Sequence, residues 1–226
     1  MKAVLWLLGV SGLISLLVSA SFGSPREPTP SVTRVLGRAA YAQTPEAALR
    51  YRVVAERSEA RYRVREQLAG ISFPSDAVGA TSAIEGSLFL DAQGRIRPSD
   101  SRLTVDLRTL RSDRDRRDNY VRRNTLETER HPMAVFIPSE VRGLPFPLPQ
   151  TGTASFELIG DLTIRATTRR ITWDATATFN GQEVSVQAKT SFRFADFGLS
   201  IPRVASVLSV EETIRLETDL LLRRGS

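Results

Sequence analysis

The strictest constraint in this chain is a two-residue hydrophobic period through most of Ala154–Phe194. Ala154, Phe156, Leu158, Gly160, Leu162 and Ile164 alternate with Ser155, Glu157, Asp161 and Thr163. Ile171, Trp173, Ala175, Ala177 and Phe179 alternate with Thr172, Asp174, Thr176 and Thr178. Val184, Val186, Ala188, Phe192 and Phe194 alternate with Ser185, Gln187, Lys189, Ser191 and Arg193. Successive side chains of a strand point to opposite faces, so each segment reads as a strand with one apolar and one polar side. That is antiparallel sheet with one face hidden. Asn180-Gly181 between two such segments predicts a hairpin, because both residues tolerate positive φ.

The same pattern recurs on both sides. Tyr51, Val53 and Ala55 alternate with Arg52, Val54 and Glu56, and Tyr62 and Val64 with Arg61, Arg63 and Arg65. Ile84, Gly86, Leu88 and Leu90 form one face of a further strand, and Leu103, Val105 and Leu107 of another. Met133, Val135 and Ile137 start a strand, and Ile214, Leu216, Leu220 and Leu222 close the chain. About eight or nine antiparallel strands are expected, since the helical crossovers of a parallel sheet are missing. A sandwich or a barrel can hide their apolar faces. Long strands joined by short turns favour an up-and-down barrel, which also removes exposed edges. An eight-stranded barrel is just wide enough to be filled by side chains or to hold one slender ligand.

One charged segment, Ser112–Phe136, interrupts the pattern. It reads as a short helix capped by Asp113, with Asp115 and Asp118 near its positive end and Arg122 and Arg123 near the other. Pro132 disfavours helical geometry at His131 and stops it. Tyr120, Val121, Thr125 and Leu126 are its only candidates for a buried stripe, so it is expected to lie on a surface or to close one end of something. Gly143–Gln150, with three prolines, is expected to be an apolar loop packed on its own side chains, with a hydrophobic lip at a cavity or membrane surface as the alternative.

Met1-Lys2 and the uncharged run to Ser24 resemble an export segment, cleaved near Val18-Ser19-Ala20 or retained as an anchor. Residues 25–48, with Pro25, Pro28, Pro30 and Pro45, read as a linker to a domain over 49–222. The chain is expected in the periplasm or cell envelope. Its net charge is +6, almost all from arginine, but no basic run lies beside interleaved aromatics. Nucleic acid is therefore not an expected partner. The absence of cysteine removes disulfides, thiol catalysis and Cys-ligated metals. His131 is the single histidine, and no nucleophile elbow, phosphate loop, H-E-x-x-H or EF-hand pattern accompanies it. No catalytic residue, metal site or resident cofactor is expected.

Three stretches together carry a family resemblance. They are Leu103–Phe136, Gly160–Asp174 (GDLTIRATTRRITWD) and Asp196-Phe197-Gly198-Leu199. In this order they resemble the YceI-like family of bacterial lipid-binding proteins. The chain departs from that pattern at Asn119-Tyr120-Val121 after Arg117-Asp118, and at Ala166, where the family's turn carries glycine. The resemblance implies an all-β fold, an extended eight-stranded antiparallel lipocalin-like barrel with one short charged helix. It also implies an apolar tunnel for a polyisoprenoid, a quinone tail or a similar lipid.

The leading expectation is thus a non-enzymatic carrier of a long apolar lipid. Its tunnel is expected to be lined by Phe156, Leu158, Ile171, Trp173, Ala175, Phe179, Val186, Ala188 and Phe192. Arg117 and Asp118 are expected to meet a head group or anchor the helix. Transient contact with a membrane surface is expected, and a homodimer is compatible with the sequence. The competing expectation is a filled-barrel interaction or stress scaffold without a lipid.

Overall fold

A computed structural model describes residues 48–225. The expected export segment, and all of the linker except Ala48, lie outside the described residues.

Eleven strands form one antiparallel sheet that closes on itself. They amount to eight staves, three of them broken. The first stave is β1 (Leu49–Val53) and, after a 3-10 turn at Ala55–Arg57, β2 (Glu59–Leu68). The second is β3 (Ser75–Thr81) and β4 (Ile84–Leu90). The third is β5 (Arg102–Asp106) and the short β6 (Arg111–Ser112), separated by a turn at Leu107–Thr109. Then follow β7 (Met133–Arg142), β8 (Thr151–Ile164), β9 (Thr167–Asn180), β10 (Glu183–Arg193) and β11 (Val207–Arg224). β11 pairs with β10 along one edge. Its other edge pairs with β2 and then, at Leu222–Arg224, with β1. Neighbours in sequence are neighbours in space throughout, so the barrel is up-and-down and leaves no long free edge. The barrel, not the sandwich, is the closure.

Short polar side chains repair the ladder where the staves break. Ser58 Oγ–H donates to Val54 O (2.8 Å) and Ser58 Oγ accepts from Leu221 N–H (3.0 Å). Thr81 Oγ1 accepts from Ala83 N–H (3.0 Å) and shares a hydrogen bond with Thr109 Oγ1 (2.6 Å). Each thereby gives a buried backbone group the partner that the interrupted strand cannot supply.

The inner faces form two apolar clusters along the barrel. The cluster at one end includes Phe136, Leu162, Trp173, Phe192, Phe197 and Leu126. Phe136 meets Trp173 edge-on at 6.0 Å between ring centroids. The cluster at the other end includes Leu49, Tyr51, Ala177, Phe179, Leu148 and Leu222. Outside, Arg61, Arg63 and Arg215 interleave with Asp76, Glu217 and Asp219 across β11, β2 and β3. The basic composition is therefore largely a neutralised lattice on the polar face, where each exposed pair contributes at most about 1 kcal/mol.

Three local readings change. Asp113 does not cap the helix: Arg114 stands at that position, with no side-chain cap, and Asp113 instead pairs with Arg117. The helix itself, α1 (Asp115–Tyr120), continues as a wider π turn over Val121–Thr125. The hairpin forms, but its two-residue turn is Gly181-Gln182, with Asn180 still paired to Glu183 and Gly181 at φ +62°. Finally, the loop after β7 does not pack only on itself. Leu148 is 9% exposed and joins the second cluster, and Leu144 packs against it.

Candidate functional site

The inner faces of the staves do not fill the barrel. They enclose a cavity of about 1200 Å³ that touches both apolar clusters. Leu144 and Leu148 line it at one end, and α1 with the segment Pro202–Val207 borders the other. Seven of the residues expected to face a tunnel do so: Phe156, Leu158, Trp173, Phe179, Val186, Ala188 and Phe192. Ile171 and Ala175 are outside the lining, although both sit on the inner-face period of β9. Ile171 packs against the helix-end cluster. Ala175 lies in register between Phe156 and Ala188 and is buried in the second cluster.

Small and large side chains divide this interior between them. Ala177 and Ala188 leave room, while Phe156, Trp173, Phe179 and Phe192 shape it. The indole nitrogen of Trp173 is buried without a hydrogen-bond partner and covered by its neighbours, so it is part of the wall and not a donor offered to the cavity. The space therefore selects for length and apolarity: each CH₂ moved into it from water gains about 0.8 kcal/mol. The volume exceeds the roughly 300–1,000 Å³ of drug-sized pockets.

The helix end is chemically different. Arg114, Asp115, Arg116, Asn119, Arg123 and Asn124 border the cavity there. Two clamps hold the helix in place. The Arg117 guanidinium donates to Glu66 Oε1 (2.5 Å), with only 14% and 8% of the two side chains exposed. Asp118 Oδ1 accepts from the Ser112 backbone N–H (2.9 Å) and from the Ser112 hydroxyl (2.6 Å). Asp118 is 3% exposed and does not reach the cavity. Arg117 and Asp118 thus tie α1 to β2 and β6. Burial works to lower the Arg117 pKa, but Asp113 and Glu66 outweigh it and hold the guanidinium above its usual range.

Glu66 escaped the sequence reading, and the signal for it was present. It continues the inner-face period Tyr62, Val64, Glu66, Leu68, a carboxylate where an apolar residue belongs. Tyr62 on the same face is pushed up to about 12, chiefly by burial and against the pull of Arg117. Its ring covers Gly79 on β3, where any side chain would collide with it. His131 is half-buried outside this site. Among the described residues no group of His, Cys, Asp or Glu has an arrangement that could hold a metal ion.

Comparison with known proteins agrees with this architecture. The model of the YceI-like domain matches residues 51–222. Two Pseudomonas putida proteins called UPF0312, from strains W619 and F1, are each 28% identical over 119 residues, covering 49% of this chain. The match spans 58% of each relative's length. Among solved structures, a polyisoprenoid binding domain from Saccharophagus degradans, implicated in plant cell wall breakdown, superposes with a TM-score of 0.62. It is 14% identical, and the match covers 77% of this chain and 98% of that one. Burkholderia cenocepacia BcnA gives 0.55 at 15% identity, covering 75% and 98%. At such identities the likeness is one of fold.

Proposed function

Because this chain belongs to the YceI-like domain family, and its barrel is hollow, we propose that it binds and carries a long apolar lipid in the cell envelope without transforming it. The observation that carries the reading is the cavity itself, about 1200 Å³ of almost wholly apolar space reaching from Leu148 to α1. A filled-barrel scaffold has no use for such a volume. A polyisoprenoid or quinone tail is long, slender and apolar, which suits such a space, and the Saccharophagus degradans neighbour is named for polyisoprenoid binding. Exchange with a membrane is nearly balanced, since the cargo's alternative phase is a bilayer and not water. A near-balanced transfer suits a shuttle.

The test is mass spectrometry of an organic extract of the protein, purified without detergent from an exporting bacterial host. One dominant polyprenyl or quinone species near one per chain is expected. A folded protein that carries no lipid and takes up none when offered would return the scaffold reading.

A further inference from the structure

The carrier reading leaves open how cargo enters and leaves, and the surface around the helix end addresses that. Among the described residues, the large hydrophobic side chains left exposed are Ile71 (44%), Phe73 (79%) and Leu208 (68%). They are distant in sequence but belong to two segments stitched together. Leu68 pairs with Val207, and the Ala69 N–H donates to Ser206 O (3.0 Å). Leu208 is the extra residue of a bulge between the Leu68–Val207 and Gln67–Ser209 pairs, which explains why it escapes the ladder. Both segments border the cavity through Leu68 and Val207.

The helix segment borders the same end of the cavity. Residues 111–125 carry six arginines and three aspartates. Arg116 and Arg123 line the mouth and make no ion pair among the described residues, unlike the paired arginines of the strand faces. Exposed apolar tips beside unpaired arginines match the interface of an anionic bilayer, with apolar groups among the acyl chains and guanidinium groups at the phosphates. A second copy fits poorly, since two cationic helix segments would meet.

We infer that the helix end of the barrel docks on anionic lipid bilayers, with Ile71, Phe73 and Leu208 inserting and Arg116 and Arg123 binding lipid phosphates, so that the cavity mouth opens toward the membrane. This rests on the carrier reading for its purpose but not for its test.

The chain has no cysteine, so single substitutions Phe73→Cys, Leu208→Cys and, at the opposite end, Gln182→Cys allow unique labelling of the full chain with a nitrobenzoxadiazole dye. Vesicles of phosphatidylcholine with 30 mol% phosphatidylglycerol are compared with pure phosphatidylcholine. The expected result is dye brightening, and quenching by acyl-chain spin labels, at positions 73 and 208 but not 182, on anionic vesicles. Arg116→Gln with Arg123→Gln should weaken the concentration dependence of this signal about 30-fold, from roughly 1 kcal/mol per arginine near the surface. Insertion at 182, no insertion at any position, or equal response on neutral vesicles overturns the proposal. So does a signal at 73 that follows protein concentration without vesicles, which marks self-association. The extracted-lipid assay is read separately. Cargo without docking removes only this surface, and docking without cargo removes only the carrier reading.

Discussion

Glu127 and Arg165 form an ion pair at the helix end of the barrel, and they are the two non-glycine residues of the described chain at positive φ, +50° and +55°. Glu127 follows the π turn after α1, and Arg165 is the first turn residue between β8 and β9. Each backbone holds a conformation that costs an L-residue about 1–2 kcal/mol. The pair joins two turns whose flanking residues Leu126 and Ile164 belong to the same buried cluster.

Replacing Arg165 therefore separates strain from pairing. Arg165→Ala loses the ion pair and keeps the strained φ, whereas Arg165→Gly loses the pair and relieves it. The glycine variant should be more stable than the alanine variant by about 1 kcal/mol in urea unfolding. Equal midpoints would show that the turn is not strained.

Tyr62 sets a limit at alkaline pH. Burial raises its folded-state pKa to about 12, above the ordinary tyrosine value near 10. Its contribution is complete below pH 10 and is lost as pH rises from 10 toward 12, because the unfolded chain ionises first. At pH 11 the loss should be about 1.4 kcal/mol relative to pH 9. Tyr62→Phe should flatten that part of the stability profile. A wild-type profile as flat as the variant's between pH 9 and 11 would place the hydroxyl in water.

The buried Arg117–Glu66 pair predicts an asymmetry. Arg117→Met leaves the Glu66 carboxylate enclosed without its partner and should cost about 3 kcal/mol. Adding Glu66→Leu should recover most of that loss, since the pair as a whole contributes little beyond its own desolvation. Chemical denaturation of the two variants checks it. A double variant no more stable than Arg117→Met would mean that the pair is worth far more than its desolvation.

The sequence made the barrel legible wherever one face was hidden continuously. From Ala154 to Phe194 the inner-face residues follow from period two alone. The hairpin was legible and its register was not. Asn180 extends the strand, and the positive φ falls on Gly181 only, a choice set by pairing across β9 and β10. Of the three broken staves, only the first is legible as two strands. β3, within a stretch that reads as a loop around Pro74, and the two-residue β6 carry too little alternation, and the contacts that hold a broken stave, such as Ser58 to Leu221, are 163 residues apart. Glu66 was legible in principle. A carboxylate on an apolar period is either an error of register or a group with a buried partner, and Arg117 is that partner. The rim formed by Phe73 and Leu208 was not legible, since only the bulge at Leu208 turns that side chain outward.

The cavity gives the sharpest contrast between neighbouring positions. Ala188 and Ala175 face each other in register on β10 and β9, yet only Ala188 lines the open space. Ala188→Trp should place its ring in that space, keep the fold, and reduce the lipid recovered per chain at least tenfold. Ala175→Trp should meet a wall already packed by Phe156 and Ala188, costing about 1–3 kcal/mol through overpacking. Thermal unfolding and the lipid-to-protein ratio, measured on both variants, separate these outcomes. If Ala188→Trp still carried a full complement of lipid, the cargo would have to lie elsewhere than in the barrel. If instead it unfolded as readily as Ala175→Trp, the interior would be tighter at that position than its lining residues imply.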